Sequence, residues 1–233
     1  MLRTPKFLCL TLLFVVSLFV AGNVVADSGE STRVVDANQH RGGNGRGYSY
    51  RDRSDYILKE LDLKPGDVVV DIGAGDGWWS AKMAPCVGEK GIVHAAEITQ
   101  ELVDKMKEKH ADVPQIKPYV CSTDSTDLPE NSCDLAFFSR SYHHLEADGR
   151  VDYLKQLAKV LKPTGRIAII EGLELGERQH CALPSQVATD AEQSGWVLAR
   201  HELITGTDHY MAILVRKELF AKEKPIEAPQ IAK

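Results

Sequence analysis

The stretch "DVVVDIGAGDGWWS", residues 67–80, constrains this chain more than any other part of it. Its first half is a continuous apolar run, the pattern of a strand covered on both faces, as in parallel sheets flanked by helices. Gly73, Gly75 and Gly77 follow at every second position. Glycine adopts positive φ freely and lets a backbone approach a ligand with no Cβ in the way. A strand that enters such a turn and then a helix is the first βα unit of an open α/β sheet, whose ligands lie at the carboxyl edge.

The rest of the chain continues the alternation. Strands are predicted at 67–72, 91–98, 115–122, 133–139, 165–173, 196–205 and 209–217, with Pro118 pushing the third toward a sheet edge. Helices are predicted at 52–63, 78–87, 99–110, 150–161 and 184–195, the second ending at Pro85 or shortly after. The last two strands are joined by a turn holding Gly206 and Asp208, too short for a crossover, so they are antiparallel. The expected fold is therefore α/β, a doubly wound and mostly parallel seven-stranded sheet with helices on both faces and an antiparallel C-terminal strand pair.

At 233 residues the chain supports one sizeable core with tails. Arg3 and Lys6, the apolar run "FLCLTLLFVVSLFVA" and a Val-x-Ala pattern before Asp27 make residues 1–26 a signal peptide, or else an N-terminal anchor that tethers the protein to a membrane through residues 7–26. Either version puts the domain outside the cytoplasm, periplasmic or extracellular. Residues 27–50 are a polar, Gly/Arg-rich arm or linker, 51–217 the folded domain, and 218–233 a flexible tail. The net charge of -5 becomes -7 without residues 1–26, which argues against nucleic acid as a partner. Cys86, Cys121, Cys133 and Cys181 lack metal-ligand spacing and are either small buried side chains or one or two disulfides.

The glycine turn alone also suits dinucleotide enzymes, which use GxGxxG. Here Trp78 occupies the third-glycine position, where an indole blocks close helix packing. Asp76 inside the turn likewise argues against a phosphate-bearing dinucleotide.

Taken in order, "VVDIGAGDG", Glu97 ending the second strand, "STDSTDLPENSCDLAFFSRSYHH", "LAKVLKPTGRIAIIEG" and the closing antiparallel pair resemble the class I S-adenosylmethionine-dependent methyltransferases. The resemblance covers residues 51–217 and implies the Rossmann-like methyltransferase fold, S-adenosyl-L-methionine as cofactor and no metal. It implies that Asp71 holds the cofactor's amino group, directly or through water, that Gly73, Gly75 and Gly77 form the floor under its methionyl and ribose parts, and that Glu97 accepts from both ribose hydroxyls. It also implies that Asp124, with Ser125 beside it, contacts the adenine. Asp127 competes for that contact, and turn capping is the alternative role of both acids.

Methyl transfer asks mainly for alignment and exclusion of water, and needs a base only when the acceptor starts protonated. Tyr142, His143 and His144, after the fourth strand, and Glu171, ending the fifth, are the candidate catalytic residues; the histidines have helix capping as their alternative. Trp78 and Trp79 are core or cofactor packing, and Tyr48, Tyr50 or Arg51 of the arm could face the acceptor. The expected function is methyl transfer to an unidentified small-molecule or protein acceptor by in-line displacement at the sulfonium methyl. The alternative is an exported, non-catalytic ligand-binding module on the same fold.

Overall fold

A computed structural model describes residues 49–173 and 181–220. The expected signal segment, the arm up to residue 48 and the tail from 221 lie outside the described residues. A 3-10 turn, Tyr50–Arg53, leads into helix α1, Ser54–Leu61, which buries Ile57 and Leu61 one turn apart and stops at Asp62 in the left-handed conformation, φ 49. Strand β1, Val68–Ile72, then passes through the glycine turn into α2, Trp78–Val87. The alternation continues with β2 (Ile92–Glu97), α3 (Gln100–Lys109), β3 (Ile116–Val120), β4 (Cys133–Ser139), α4 (Arg150–Val160) and β5 (Leu161–Gly172). α5 (Pro184–Gln193), β6 (Trp196–Leu203), β7 (His209–Arg216) and the short α6 (Lys217–Phe220) complete the described chain.

The seven strands lie in the order β3-β2-β1-β4-β5-β7-β6. Every pairing from β3 to β5 is parallel, and β7 is antiparallel to both β5 and β6. The order reverses between β1 and β4, and a crevice opens at their carboxyl ends because the crossovers leave in opposite directions. β3 is an edge strand, so Pro118 removes no ladder donor that a second neighbour would need.

Alternation along β1 sends Val69 to one face and Val70 and Ile72 to the other. On the first face, Ile57, Leu61, Trp79, Met83, Phe137 and Ile170 pack together; on the second lie Phe138, Leu154, Leu157, Ile169 and Trp196. Burying a large apolar side chain contributes about 1.5–3 kcal/mol each, so the two faces fix the sheet and hence the crevice.

α2 runs to Val87, two residues past Pro85 and within the expected span, ending where Gly88 adopts φ 66 and its N–H reaches Ala84 O at 3.2 Å. Two details differ from the expectation. β5 begins at Leu161 rather than Gly165, because Cys133 pairs with Leu161 before the register shifts to Leu135 with Arg166. α6 was not anticipated. All four described cysteines are free thiols, so the disulfide alternative falls.

Candidate functional site

The three glycines of the turn have three different reasons to be glycine. Gly73 (φ 71) lies under Ser141, whose Cβ would sit 2.7 Å from an added Cβ and whose hydroxyl donates to Ile72 O at 2.5 Å. Gly75 (φ 60) has open space around it, and its N–H donates to Glu97 Oε1 at 2.6 Å. Gly77 (φ 74) is buried, and an added Cβ would meet His110 Nε2 at 2.8 Å and Met106 Cγ at 2.9 Å. Gly73 thus lines the crevice, Gly75 offers its amide to the acid across it, and Gly77 backs onto α3.

Glu97 ends β2 nearly buried, its second oxygen accepting from Ile98 N at 3.1 Å. Two backbone donors hold the carboxylate and leave further lone pairs free, so it is an oriented acceptor before any ligand arrives. Beside it is a cavity of about 300 Å3 lined by Ile72, Gly73, Glu97, Ile98, Cys121–Thr123, Arg140, Ser141, His144, Leu145 and Tyr153. Ile98 leaves 58% of its surface exposed on one wall, and Cys121–Thr123 form the other. The result is a slot with an apolar wall and a carboxylate at its end, which suits a flat base carrying a diol. Burial pushes the Cys121 thiol up to about 11, so it serves as wall rather than nucleophile.

The structure turns Asp71 away from this cavity. Its carboxylate shares the face of Val69 and accepts from Ser80 Oγ of α2 at 2.6 Å. Burial pushes its pKa up to about 7, the Ser80 bond opposing the shift. Asp76 also faces away: Oδ2 pairs with Lys109 Nζ at 2.6 Å and Oδ1 accepts from Trp78 N at 3.2 Å. The Lys109 bond holds the Asp76 carboxyl below its usual range, so its charge is neutralised behind the loop and is not presented to a ligand.

Asp124 is exposed and outside the residues lining the cavity, although its charge reaches Tyr153, which does line it. Ser125 Oγ accepts from Asp127 N at 3.0 Å. Asp127 accepts from both the backbone and hydroxyl of Ser122, each at 2.7 Å, and sits at φ 53. For Asp127 the turn-capping role is the one its bonds describe, while Ser122 and Thr123 are the segment's cavity-lining residues.

At the other end of the crevice, His143 Nδ1 lies 2.9 Å from both oxygens of Glu171, which also accepts from His143 N at 3.2 Å. Glu171 is fully buried and has Arg140 Nη1 at 3.8 Å. A carboxylate can only accept, so Nδ1 carries the proton of this pair and Nε2 is left with the basic lone pair when the ring is neutral. The His144 ring lies 4.1 Å from that of His143, and His144 lines the cavity. Tyr142 is not brought to the site. It is fully buried among Phe138 and Arg150, donates to Asp190 Oδ2 at 2.8 Å, and burial raises its pKa.

Several neighbours escaped the sequence. Arg140 and Ser141 follow β4 directly, and a reading of "SRSYHH" that began at the strand end would have included them. The Arg140 guanidinium lies against Gly172, where an added Cβ would make it shift. His209 joins only through the fold: it stacks on Tyr50 at 4.4 Å and feels the charges of Asp208, Arg140 and Glu171, while burial lowers its pKa. Tyr50, the described end of the arm, contacts Ser139 Oγ at 3.1 Å. Trp79 is core, edge-on to Phe137, whereas Trp78 is half-buried with the Arg51 guanidinium 4.9 Å over its ring.

Comparison with known proteins agrees with this geometry. A family model described as a methyltransferase domain matches residues 69–165. The chain is similar to a ubiquinone/menaquinone biosynthesis C-methyltransferase of Paraburkholderia phymatum, 28% identical over 120 residues, covering 50% of this chain and 47% of the relative. It is also similar to a demethylmenaquinone methyltransferase of Staphylococcus saprophyticus, 24% identical over 115 residues, covering 49% of this chain and 48% of the relative. The chain thus spans about half the length of the curated relatives it matches. A solved S-adenosylmethionine-dependent methyltransferase from Aquifex aeolicus superposes with a TM-score of 0.64 at 25% identity, covering 70% of this chain and 89% of that one. With the motifs in order, the strand order and the acid-ended cavity, these matches support a methyltransferase domain of the class I S-adenosylmethionine-dependent kind.

Proposed function

We propose that the protein methylates a small molecule whose nucleophilic atom starts protonated. The observation that carries this reading is His143 pinned by the buried Glu171, its ring 4.1 Å from that of His144, which lines the cavity. A residue needed only to cap a helix has no use for a fully buried carboxylate on its Nδ1. Glu171 fixes the tautomer and steadies the imidazolium that forms when Nε2 takes a proton. The cofactor, when bound, supplies a methyl group on a cationic sulfur.

The chain's own residues do the rest. Glu97 and the Gly75 amide orient the diol end of the ligand, Ile98 and Cys121–Thr123 enclose its flat base, and Gly73 with Ser141 sets the floor. Asp71 contributes indirectly, by fixing α2 through Ser80, rather than by touching the ligand. Asp124, exposed and next in sequence to the cavity-lining Thr123, would offer its carboxylate to the adenine edge. Because general-base catalysis contributes about 10²–10⁴-fold, His143→Ala should lower turnover by at least a hundredfold while leaving cofactor affinity unchanged.

The test uses methyl-labelled S-adenosylmethionine and a small-molecule extract. Label should enter the small-molecule fraction with the wild-type protein and not with His143→Ala. Label transfer that survives in His143→Ala, or none at all with a wild-type protein that binds the cofactor, would overturn the proposal; the second result would favour a binding module. Export through residues 1–26 belongs to the same proposal, supported by the basic, apolar and small-residue order of that segment. N-terminal sequencing of the protein recovered from outside the cytoplasm would show Asp27 first if the segment is cleaved.

A further inference from the structure

The back of the glycine turn is gripped by a different element from the one that faces the ligand. Lys109, the last residue of α3, donates to Asp76 Oδ2 at 2.6 Å and reaches Asp76 O at 3.3 Å. The next residue, His110, places Nε2 2.9 Å from the same carbonyl oxygen. A carbonyl accepts only, so His110 donates from Nε2. Both side chains converge on one residue of the loop from 33 and 34 positions away in sequence, and Asp76 passes the hold forward by accepting from Trp78 N at the start of α2. His110 and Met106 lie so close to Gly77 that a Cβ there would come within 2.9 Å of both and force them to shift.

The loop needs such a hold. Gly73, Gly75 and Gly77 all stand at positive φ, and glycine loses more backbone freedom on ordering than any other residue. An unrestrained loop would be ordered by the cofactor at the expense of affinity. The Gly75 amide, which meets Glu97, lies one residue before Asp76.

We infer that Lys109 and His110 are positioning residues for the cofactor, holding the glycine loop through Asp76 so that the Gly75 amide and Glu97 are in register before binding. The inference rests on the reading of this loop as the cofactor's, and deepens it: α3 is an affinity-setting element although no described residue of it lines the cavity.

The experiment titrates the full-length protein with S-adenosylhomocysteine and, separately, follows backbone amide hydrogen exchange of residues 73–78 with no ligand present. Lys109→Met and Asp76→Ala should each weaken binding by about two- to fivefold, the upper limit for an exposed pair, and the double variant should be no worse than either. Lys109→Arg should keep wild-type affinity. Lys105→Met, which breaks the pair with Glu101 on the same helix, serves as control and should change nothing. In the ligand-free protein, exchange in the loop should quicken with Lys109→Met and not with Lys105→Met. Unchanged exchange and affinity in Lys109→Met, or equal losses in Lys105→Met, would overturn the inference. A wild-type protein that fails to bind while its loop exchange still depends on Lys109 would instead overturn the cofactor reading and leave the clamp standing.

Discussion

Asp71 is the residue whose chemistry departs furthest from its motif. It lies one residue before the end of β1, in the position of the family's cofactor acid, yet its carboxyl is buried against Ser80 and its pKa is pushed up to about 7. A folded-state pKa raised above the unfolded value of about 3.9 means that the folded protein holds the extra proton between those values. Stability from this group is therefore complete below pH 4 and lost as pH rises through 7. Asp71→Asn should gain on the wild type as pH rises, which thermal unfolding of both at pH 5 and pH 8 will measure; a constant difference would contradict the burial argument. Tyr142 makes a second residue-scale prediction. Because its hydroxyl serves Asp190 in the core, Tyr142→Phe should cost about 1 kcal/mol of stability in urea unfolding and leave turnover intact. A collapse of turnover in a folded variant would restore it to the site.

At the scale of elements, the strand-turn-helix that carries the loop shows why a glycine pattern has to be read position by position. Gly75 and Gly77 share nearly the same φ, 60 and 74, but only Gly77 is pressed by α3. Gly75→Ala should cost about 1–2 kcal/mol for the left-handed backbone alone, and Gly77→Ala clearly more, with part of the excess recovered in a His110→Ala background. Equal losses in the two glycine variants would mean that α3 does not press the loop. Neither contact of α3 with Asp76 has a signature in the sequence, since pairs 33 and 34 residues apart on different elements follow no period. Parity fails for a related reason: β1 is covered on both faces, so no apolar-polar alternation tells which face Asp71 shares. α2 ends shortly after Pro85, as expected, because a proline near a helix end forfeits one bond while Gly88 still closes the last turn.

For the whole molecule, the legible part was what periodicity and turn chemistry govern: seven strands, their parallel order, the antiparallel closing pair and the crevice at the carboxyl edge. Glu97, His143 and Glu171 could be named as candidates because the fold puts strand ends at that edge whatever the side-chain packing, but the hydrogen bond between His143 and Glu171 could not be read from the sequence. His209 could not be named, since β7 reaches the site antiparallel and presents its first residue there instead of its last. Among the described residues no helix is long and apolar enough to cross a membrane. The central claim is that the crevice is a cofactor site in which Glu97 does the recognising. Calorimetric titration of the full-length protein with S-adenosylhomocysteine tests it most directly, with NAD as control and Glu97→Ala as partner. A hydrogen bond to a charged group is worth about 1.5–3 kcal/mol, so binding to the wild type should weaken by roughly ten- to a hundredfold in the variant, with no heat from NAD. A folded wild-type protein that binds NAD instead, or that holds S-adenosylhomocysteine equally well without the Glu97 carboxylate, would contradict it.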